Sequence, residues 1–453
     1  MKNGVWDNFR IEKDSMGEVK VPRDVFWGAQ TQRSLENFQA GPTLPLQFIY
    51  ALAIVKRASA LANKECSALS PEKAKLIVAA CDEILSGTLG DQFPLKVYQT
   101  GSGTQTNMNV NEVIANYAGK TLHPNDDVNK SQSSNDAVPA AMHIASYQAI
   151  VKNVLPTITE LRNTLNKKSK EFSAIVKVGR THTMDAVPLT VGQEISGWVA
   201  QLDHAIITLK ESLKDLLELP LGGTAIGTGL NTPKDFDKKA VAHIKKFTGI
   251  PFIVSANKFH QIAAHGALVK AHSALKNTAL DLSLIANNIR LLASGPRTGI
   301  GEFILPENEP GSSIMPGKVN PTQAEALLQA CIRVIGNDVA VSMGALQGEF
   351  QLNVAKPLII ATILESAEIL SVTCKSFSNK CVNGMKVNKE IIKKHLDETL
   401  MLVTALTPHI GYDKAAEIAK KAHKENLTLK QSALSFGIKE KDFEAWVDPK
   451  KMV

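Results

Sequence analysis

Four polar segments carry side chains suited to holding and activating a carboxylate: Gly101-Ser102-Gly103-Thr104-Gln105, Ser131-Gln132-Ser133-Ser134-Asn135-Asp136, Gly179-Arg180-Thr181-His182-Thr183, and Gly311-Ser312-Ser313 through Asn320. They are rich in hydroxyl and amide donors and include an imidazole, His182, and an ammonium, Lys318. Each precedes a segment that reads as helix. The first amides of a helix lack partners within it and carry the positive end of its dipole, so they attract carboxylates or phosphates. One such segment alone reads as an N-cap, because Ser, Thr, Asn and Asp are the favoured cap residues. Four together, with a histidine and a lysine among them, read as a dicarboxylate site assembled from helix starts.

Other candidate motifs fall away. The glycine-rich stretch Gly222 to Gly229 follows a long helical pattern instead of a strand and lacks a Walker lysine, so it reads as a close turn near the site and not as a phosphate loop. His260 and His265 are five apart, which does not put two ligands on one helix face, and they read as structural. The cysteines Cys66, Cys81, Cys331, Cys374 and Cys381 form no CxxC or Cys/His spacing, and their odd number argues for reduced thiols over a disulfide framework. No metal or other cofactor is implied.

The elements that must position these segments are long helices. Helical patterns run over about 136–172, 187–217 and 259–292, well beyond the ordinary helix of ~11 residues. Leu268, Leu275, Leu282 and Ile289 repeat at heptad spacing, with Ile285 and Leu292 at a second position between them, which marks a buried bundle seam. A fourth helix follows Asn320-Pro321 to about Leu346, and a fifth follows Pro357. The sequence therefore predicts a mostly α fold in three domains: a mixed, mainly helical 1–132, a central long-helix bundle 133–388, and a small helical 389–453. A rod of ~35 residues is roughly 50 Å long at ~1.5 Å per residue, more than one chain can bury, so the seam predicts bundles packing between subunits of a homo-oligomer.

Composition excludes several classes. At 453 residues, with 44% hydrophobic and 21% charged residues, the chain is neither disordered nor fibrous. Its net charge of +7 is spread among acids, and the basic stretch Lys414 to Lys424 is broken by Glu417 and alanines, so no nucleic-acid partner is expected. The N-terminal MKNGVWDNFRIEKDSMG has no apolar signal core, and no run approaches a membrane span, so the reading is a cytoplasmic protein without a membrane partner.

GSSIMPGKVNPTQAE at Gly311 to Glu325 closely resembles the signature of the fumarase/aspartase superfamily, which also includes argininosuccinate and adenylosuccinate lyases. GSGTQTNMNVNE, HPNDDVNKSQSSND, KVGRTHTMDAVPLT and TALTPHIGYDKAA resemble class II fumarase segments in the expected order, so the resemblance covers nearly the whole chain. Aspartases typically show Gln where this chain has His182 and Ala where it has Gly317, so the metal-independent, class II fumarases are the better match. The departures are a short stretch between Asn116 and His123, Tyr117 where an Arg commonly follows that Asn, and Lys120 as the basic residue just before HPND.

The resemblance implies reversible anti addition of water to fumarate giving (S)-malate through a carbanion-like dianion, in a homotetramer whose sites draw on three chains. It implies Ser312 as the proton abstractor. His182 would act through a water on the hydroxyl side, with Glu325 placed to pair with its imidazole. Lys318 and Asn320 would stabilise the dianion, and Ser102, Gly103, Thr104, Ser133, Ser134, Asn135, Thr181, Ser313 and Val319 would line the substrate. A secondary dicarboxylate site is implied at His123, Pro124, Asn125 and Asp126. The alternatives are an aspartate ammonia-lyase of the same superfamily and a catalytically silent helical scaffold; an iron–sulfur hydratase would need clustered cysteines that this chain lacks.

Overall fold

The computed structural model describes residues 8–119 and 121–453; Lys120 and the first seven residues of the N-terminal stretch lie outside the described residues. The chain opens on an antiparallel hairpin of β1 (Phe9–Asp14) and β2 (Gly17–Pro22), followed by α1 (Ala29–Asn37), α2 (Leu46–Glu65), α3 (Pro71–Ser86), α4 (Thr104–Tyr117) and α5 (Ser134–Ala149). A wide turn, Ile150–Val154, continues α5 into α6 (Leu155–Glu171). A second hairpin, β3 (Val176–Thr181) and β4 (Met184–Thr190), precedes α7 (Val191–Ser212). Then come α8 (Phe236–Thr248), α9 (Lys258–Ala263), α10 (Gly266–Leu292), α11 (Thr322–Ala345) and α12 (Lys356–Phe377). The C-terminal helices are α13 (Lys389–Glu398), α14 (Thr407–Ile410), α15 (Tyr412–Glu425), α16 (Leu429–Ser435) and α17 (Glu440–Trp446).

The chain divides into two compact units. The first comprises the described residues up to Leu155, with Ile207–Ala279 and Ile332–Leu370; the second comprises Pro156–Ile206, Leu280–Cys331 and Ser371–Val453. In the first unit α2 is the central helix, packed against α3, α5 and α8. Its alanines, Ala51, Ala53, Ala58, Ala60 and Ala62, are buried and let neighbouring backbones approach closely. In the second unit the C-terminal helices close a small core of Leu402, Leu406, Ile418, Leu429, Ala433, Ile438 and Phe443.

The expected rods are present, with interruptions that have local causes. Pro156 has no N–H to return to the preceding turn, and the widened turn before it, closed by the Leu155 amide on the Ile150 carbonyl, accommodates the loss without ending the helix. The pattern read over 259–292 is two helices, because Ala264 is extended and breaks the ladder before α10 begins. The pattern read from Val187 starts as strand, and helix begins only at Val191.

Two expectations are corrected. The heptad residues Leu268, Leu275, Leu282, Ile285 and Ile289 are fully buried within the single chain, so that seam is internal. A different face of α10, with Leu280, Leu284 and Leu291, and the Ile332, Val339 and Met343 face of α11 are exposed apolar surfaces. The sequence period located the apolar stripe but not what covers it. The second correction is that two helical stretches, Thr322–Ala345 and Lys356–Val382, are long and apolar enough to cross a membrane by length and composition. Several charges in them are paired within the fold, Arg333 with Glu365, and Asp338 with His272 and Lys276, as in helices packed inside a protein.

Truncating a fully buried seam leucine removes its contacts and leaves a cavity. Leu282→Ala should therefore lower stability by about 2–5 kcal/mol, read as a lower urea midpoint. An unchanged midpoint would show that the side chain is not packed as described.

Candidate active site

In the first unit the starts of α4 and α5 lie side by side. Ser133 caps α5: its hydroxyl accepts the Asn135 amide at 3.1 Å, while its own amide donates to Asp136 Oδ1 at 2.8 Å, a reciprocal capping box. The Asn107 carboxamide of α4 donates to Ser134 Oγ at 3.1 Å, which ties the two helix starts together. At the start of α4, Gly103 adopts φ +78° and the Ser102 and Thr104 hydroxyls share a hydrogen bond of 2.8 Å. Gly101 runs against the 354–356 backbone: the Lys356 amide donates to its carbonyl at 3.0 Å, and a Cβ there would stand 1.6 Å from the Val354 carbonyl oxygen. Ser102, Gly103, Thr104, Ser133, Ser134 and Asn135 are thus brought to one place.

The glycine-rich stretch 222–229 is bound to the start of α5. Asp136, fully buried, accepts the Gly222 and Thr224 amides on Oδ2, each at 2.9 Å, and the Asn135 carboxamide donates to the Ala225 carbonyl at 2.8 Å. This matches the reading of a close turn near the site. Burial pushes the Asp136 carboxyl up, against the pull of its three backbone donors and of Lys56.

Two buried lysines that sequence reasoning missed lie beside Asp136. Lys56 donates to Asn129 Oδ1 at 2.9 Å and Gln132 Oε1 at 3.0 Å, and burial lowers its amine to about 7. Lys356, at the start of α12, is equally buried and lowered by burial to about 7, and its Nζ has no hydrogen-bond partner among the described residues. The signal for Lys56 was its place inside the apolar run YALAIVKRASALA, where a solvated lysine is out of keeping.

In the second unit Thr181 and His182 sit on a hairpin, not at a helix start, which corrects that expectation. Strand residues Val176↔Thr190 through Thr181↔Met184 pair around a bulge at Gly179, where a Cβ would meet the Val187 carbonyl at 2.4 Å. His182 and Thr183 form the turn with φ +56° and +63°, the backbone of a type I′ hairpin normally occupied by Asn-Gly. His182 is therefore held at an exposed tip in a left-handed conformation that histidine adopts more readily than most residues, and the β-branched Thr183 beside it is the strained member of the turn. The hairpin's root is an ion network: Glu302, fully buried, is met by Arg180 at 2.7 Å, Lys177 at 2.9 Å and His395 at 3.1 Å. Glu302 Oε2 lacks a hydrogen bond of suitable angle, so its contact with Lys177 is an ion pair. Burial pushes the Glu302 carboxyl up, but Arg180 and Lys177 outweigh it and hold it below its usual value.

The Gly311 to Asn320 loop, also in the second unit, closes on itself. The Gly311 amide donates to the Lys318 carbonyl at 2.8 Å, and Asn320 Nδ2 donates to the Gly311 carbonyl at 2.7 Å. Ser312 Oγ accepts the amides of Ile314 at 3.3 Å and Met315 at 3.0 Å, so two fixed donors point at this oxygen. Ser312, Lys318 and Val319 line a cleft, and Ser313 is exposed. Glu325 lies in the first turn of α11; among the described residues no hydrogen bond or ion pair joins it to His182 within the chain. His123 caps a single turn over Pro124–Val128, its Nδ1 accepting the Asp126 amide at 3.0 Å, and His123, Pro124 and Asn125 line a cleft with Gln30 and Glu112. Asp126 is exposed in that turn. Among the described residues no group of His, Cys, Asp and Glu is arranged to hold a metal ion.

Residues 17–336 match the family model described as lyase, which defines the class of the protein. Residues 402–453 match the model described as the fumarase C C-terminus. The chain is 55% identical to the class II fumarate hydratase of Pasteurella multocida (strain Pm70), over 98% of this chain and 99% of that one. It is 53% identical to the class II fumarate hydratase of Bacillus subtilis (strain 168) over the same shares. The crystal structure of recombinant class II fumarase from Schistosoma mansoni superimposes with a TM-score of 0.96 at 42% identity, over 98% of this chain and 99% of that one. The chain belongs to the class II fumarate hydratase family.

The Glu302 network makes a pH-dependent contribution to stability. With its folded proton affinity below the unfolded value of 4.5, Glu302 stabilises the fold fully above that pH, and the contribution is lost as pH falls through the lower, folded value. Glu302→Ala leaves the buried Lys177 with Glu194 as its remaining carboxylate, at 2.7 Å, and should cost about 1–3 kcal/mol at neutral pH. Urea titrations from about pH 7 to 3 should show the wild-type protein losing its advantage over the variant toward the acid end; a pH-independent difference would remove Glu302 as its source.

Proposed function

We propose that this protein is a fumarate hydratase, catalysing reversible anti addition of water to fumarate to give (S)-malate through a carbanion-like dianion. The observation that carries the reading is that essentially the whole chain, and not one motif, matches relatives bearing that name. Its substrates are the small dicarboxylates fumarate and malate, its location is the cytoplasm, and its place in metabolism is the tricarboxylic acid cycle.

Removing the proton next to malate's carboxylate turns that carboxylate into an aci-carboxylate dianion, beside the charge of the other carboxylate, which water stabilises poorly. Fixed donors in a closed pocket supply that stabilisation, each worth about 3 kcal/mol when well placed. Ser312 abstracts the proton: a serine is a weak base unaided, and the amides of Ile314 and Met315 directed at its oxygen favour the anionic form. Lys318 and the second N–H of the Asn320 carboxamide face the developing charge. Ser102, Gly103, Thr104, Ser133, Ser134, Asn135, Thr181, Ser313 and Val319 hold the substrate, and His182 acts through a water on the hydroxyl side. The turn at His123, Pro124, Asn125 and Asp126 is a secondary dicarboxylate site.

These residues are divided between the two units, with Ser102 to Asn135 in one and His182, Ser312 and Glu325 in the other. The site is completed by other copies: three subunits of a homotetramer contribute to each, and His182 meets Glu325 across a subunit boundary. The exposed apolar faces of α10 and α11 support this assembly. The three-domain division 1–132, 133–388 and 389–453 belongs to the same reading.

Purified protein mixed with fumarate should consume the ultraviolet absorbance of the conjugated double bond without ammonia; no consumption, or consumption only when ammonia is added, would overturn the hydratase reading. Ser312→Ala and His182→Asn should each lower turnover by roughly 10²–10⁴-fold. Asn135→Ala and His182→Asn proteins, each nearly inactive, should regain activity when co-expressed, because mixed oligomers contain some sites with both residues intact. Verified mixed oligomers no more active than either parent would rule out shared sites.

A further inference from the structure

Beneath the α4 and α5 starts lies a group of buried ionisable side chains that the reaction described above does not use. Asp136 is flanked electrostatically by Lys56 and Lys356. Lys56 is solvated by two carboxamides, but the Lys356 amine has no partner and no exposure, although its backbone is hydrogen-bonded to Gly101, next to Ser102. An orphan amine at full burial is costly to charge, so it persists where something supplies a counter-charge.

The other groups around it do not supply one. His265, ahead of α10, also has two unpartnered ring nitrogens, and burial together with the charges of Lys356, His143 and His260 keeps it neutral. His143 on α5 hydrogen-bonds the Glu218 carbonyl through Nδ1 at 2.8 Å and is held to about 4 by burial. His260 on α9 adds positive charge when protonated. Asp136 is the one acid coupled to Lys356, and it is shared with Lys56 and three backbone amides. The cluster is thus short of negative charge at the place where a dicarboxylate binds.

Resting on the reading of these helix starts as the carboxylate site, we propose that Lys356 is a positioning residue for the substrate dianion, taking up a proton from solvent as the dianion arrives and supplying the buried positive charge that holds it. The proton goes to the free Nζ lone pair, and the anion's charge repays the burial of the ammonium. An anion arriving within a few ångströms raises the protonation constant of such a group by about tenfold or more. With the amine near 7 before binding, uptake is greatest just above neutrality.

The test is calorimetric titration of the full-length protein with succinate, which has no double bond to hydrate, from about pH 6 to 8.5 in buffers of different ionisation heat. Wild-type protein should take up a fraction of a proton per site near about pH 7.5, and its affinity should fall as pH rises. Lys356→Met should bind about tenfold or more weakly with no uptake, raising KM for fumarate while kcat changes little. Lys356→Arg, which keeps the charge at all these pH values, should bind without uptake and with a flatter pH profile. Absence of uptake in wild-type protein, or undiminished uptake in either variant, overturns the proposal. Failure of wild-type protein to hydrate fumarate would instead strike the functional reading, which the succinate titration does not measure.

Discussion

A carboxylate with no access to water, Asp136, joins the pieces of the first unit's candidate site. Its two oxygens accept the Ser133, Gly222 and Thr224 amides, so one side chain closes the α5 cap and fixes the glycine-rich stretch against it. An isolated buried carboxylate would shed its charge, and three backbone donors with a lysine nearby are what keep this one tied down. The half-buried Ser133 hydroxyl and Asn135 carboxamide then take their directions from a group that is itself fully buried. The same economy appears in the second unit, where Glu302 anchors the hairpin that presents His182.

The two units build their candidate residues on different backbones. Around α4 and α5, the unpartnered amides and dipole of a helix start make the surface receptive to anions. At the hairpin there is no such field, and the device is a two-residue turn with both φ angles positive that projects a histidine beyond its strands. The Ser312 loop combines the two: a coil that closes through Gly311 and Asn320, with amides directed at a side-chain oxygen as they would be in a first helical turn.

Much of this was legible in the sequence, and the failures have physical reasons. The starts of α4, α5 and α11 were readable because cap residues and apolar periodicity are local properties. The hairpin was misread as a helix approach because its turn lacks the Asn-Gly that normally marks it, while Val176, Val178 and Thr190 give only a weak alternation. The seam leucines were correctly read as buried, but periodicity does not say whether the covering surface belongs to the same chain. Lys56 and Lys356 were passed over because a lysine ordinarily reads as solvated; their burial depends on helices distant in sequence. The buried charges beneath the helix starts were therefore not legible, whereas the cap residues above them were.

Gly101 and Val354 meet backbone to backbone, and this fixes how freely each position can drift. A methyl group on residue 101 would fall inside the carbonyl of residue 354, so no other amino acid fits without moving the loop that bears Ser102. Position 354 brings only its main chain to this contact, the carbonyl facing Gly101 while the amide donates to the Gln347 carbonyl, so any residue type but proline can supply it. One side of the contact is thus restricted by having no side chain, and the other is not restricted there by the side chain it has.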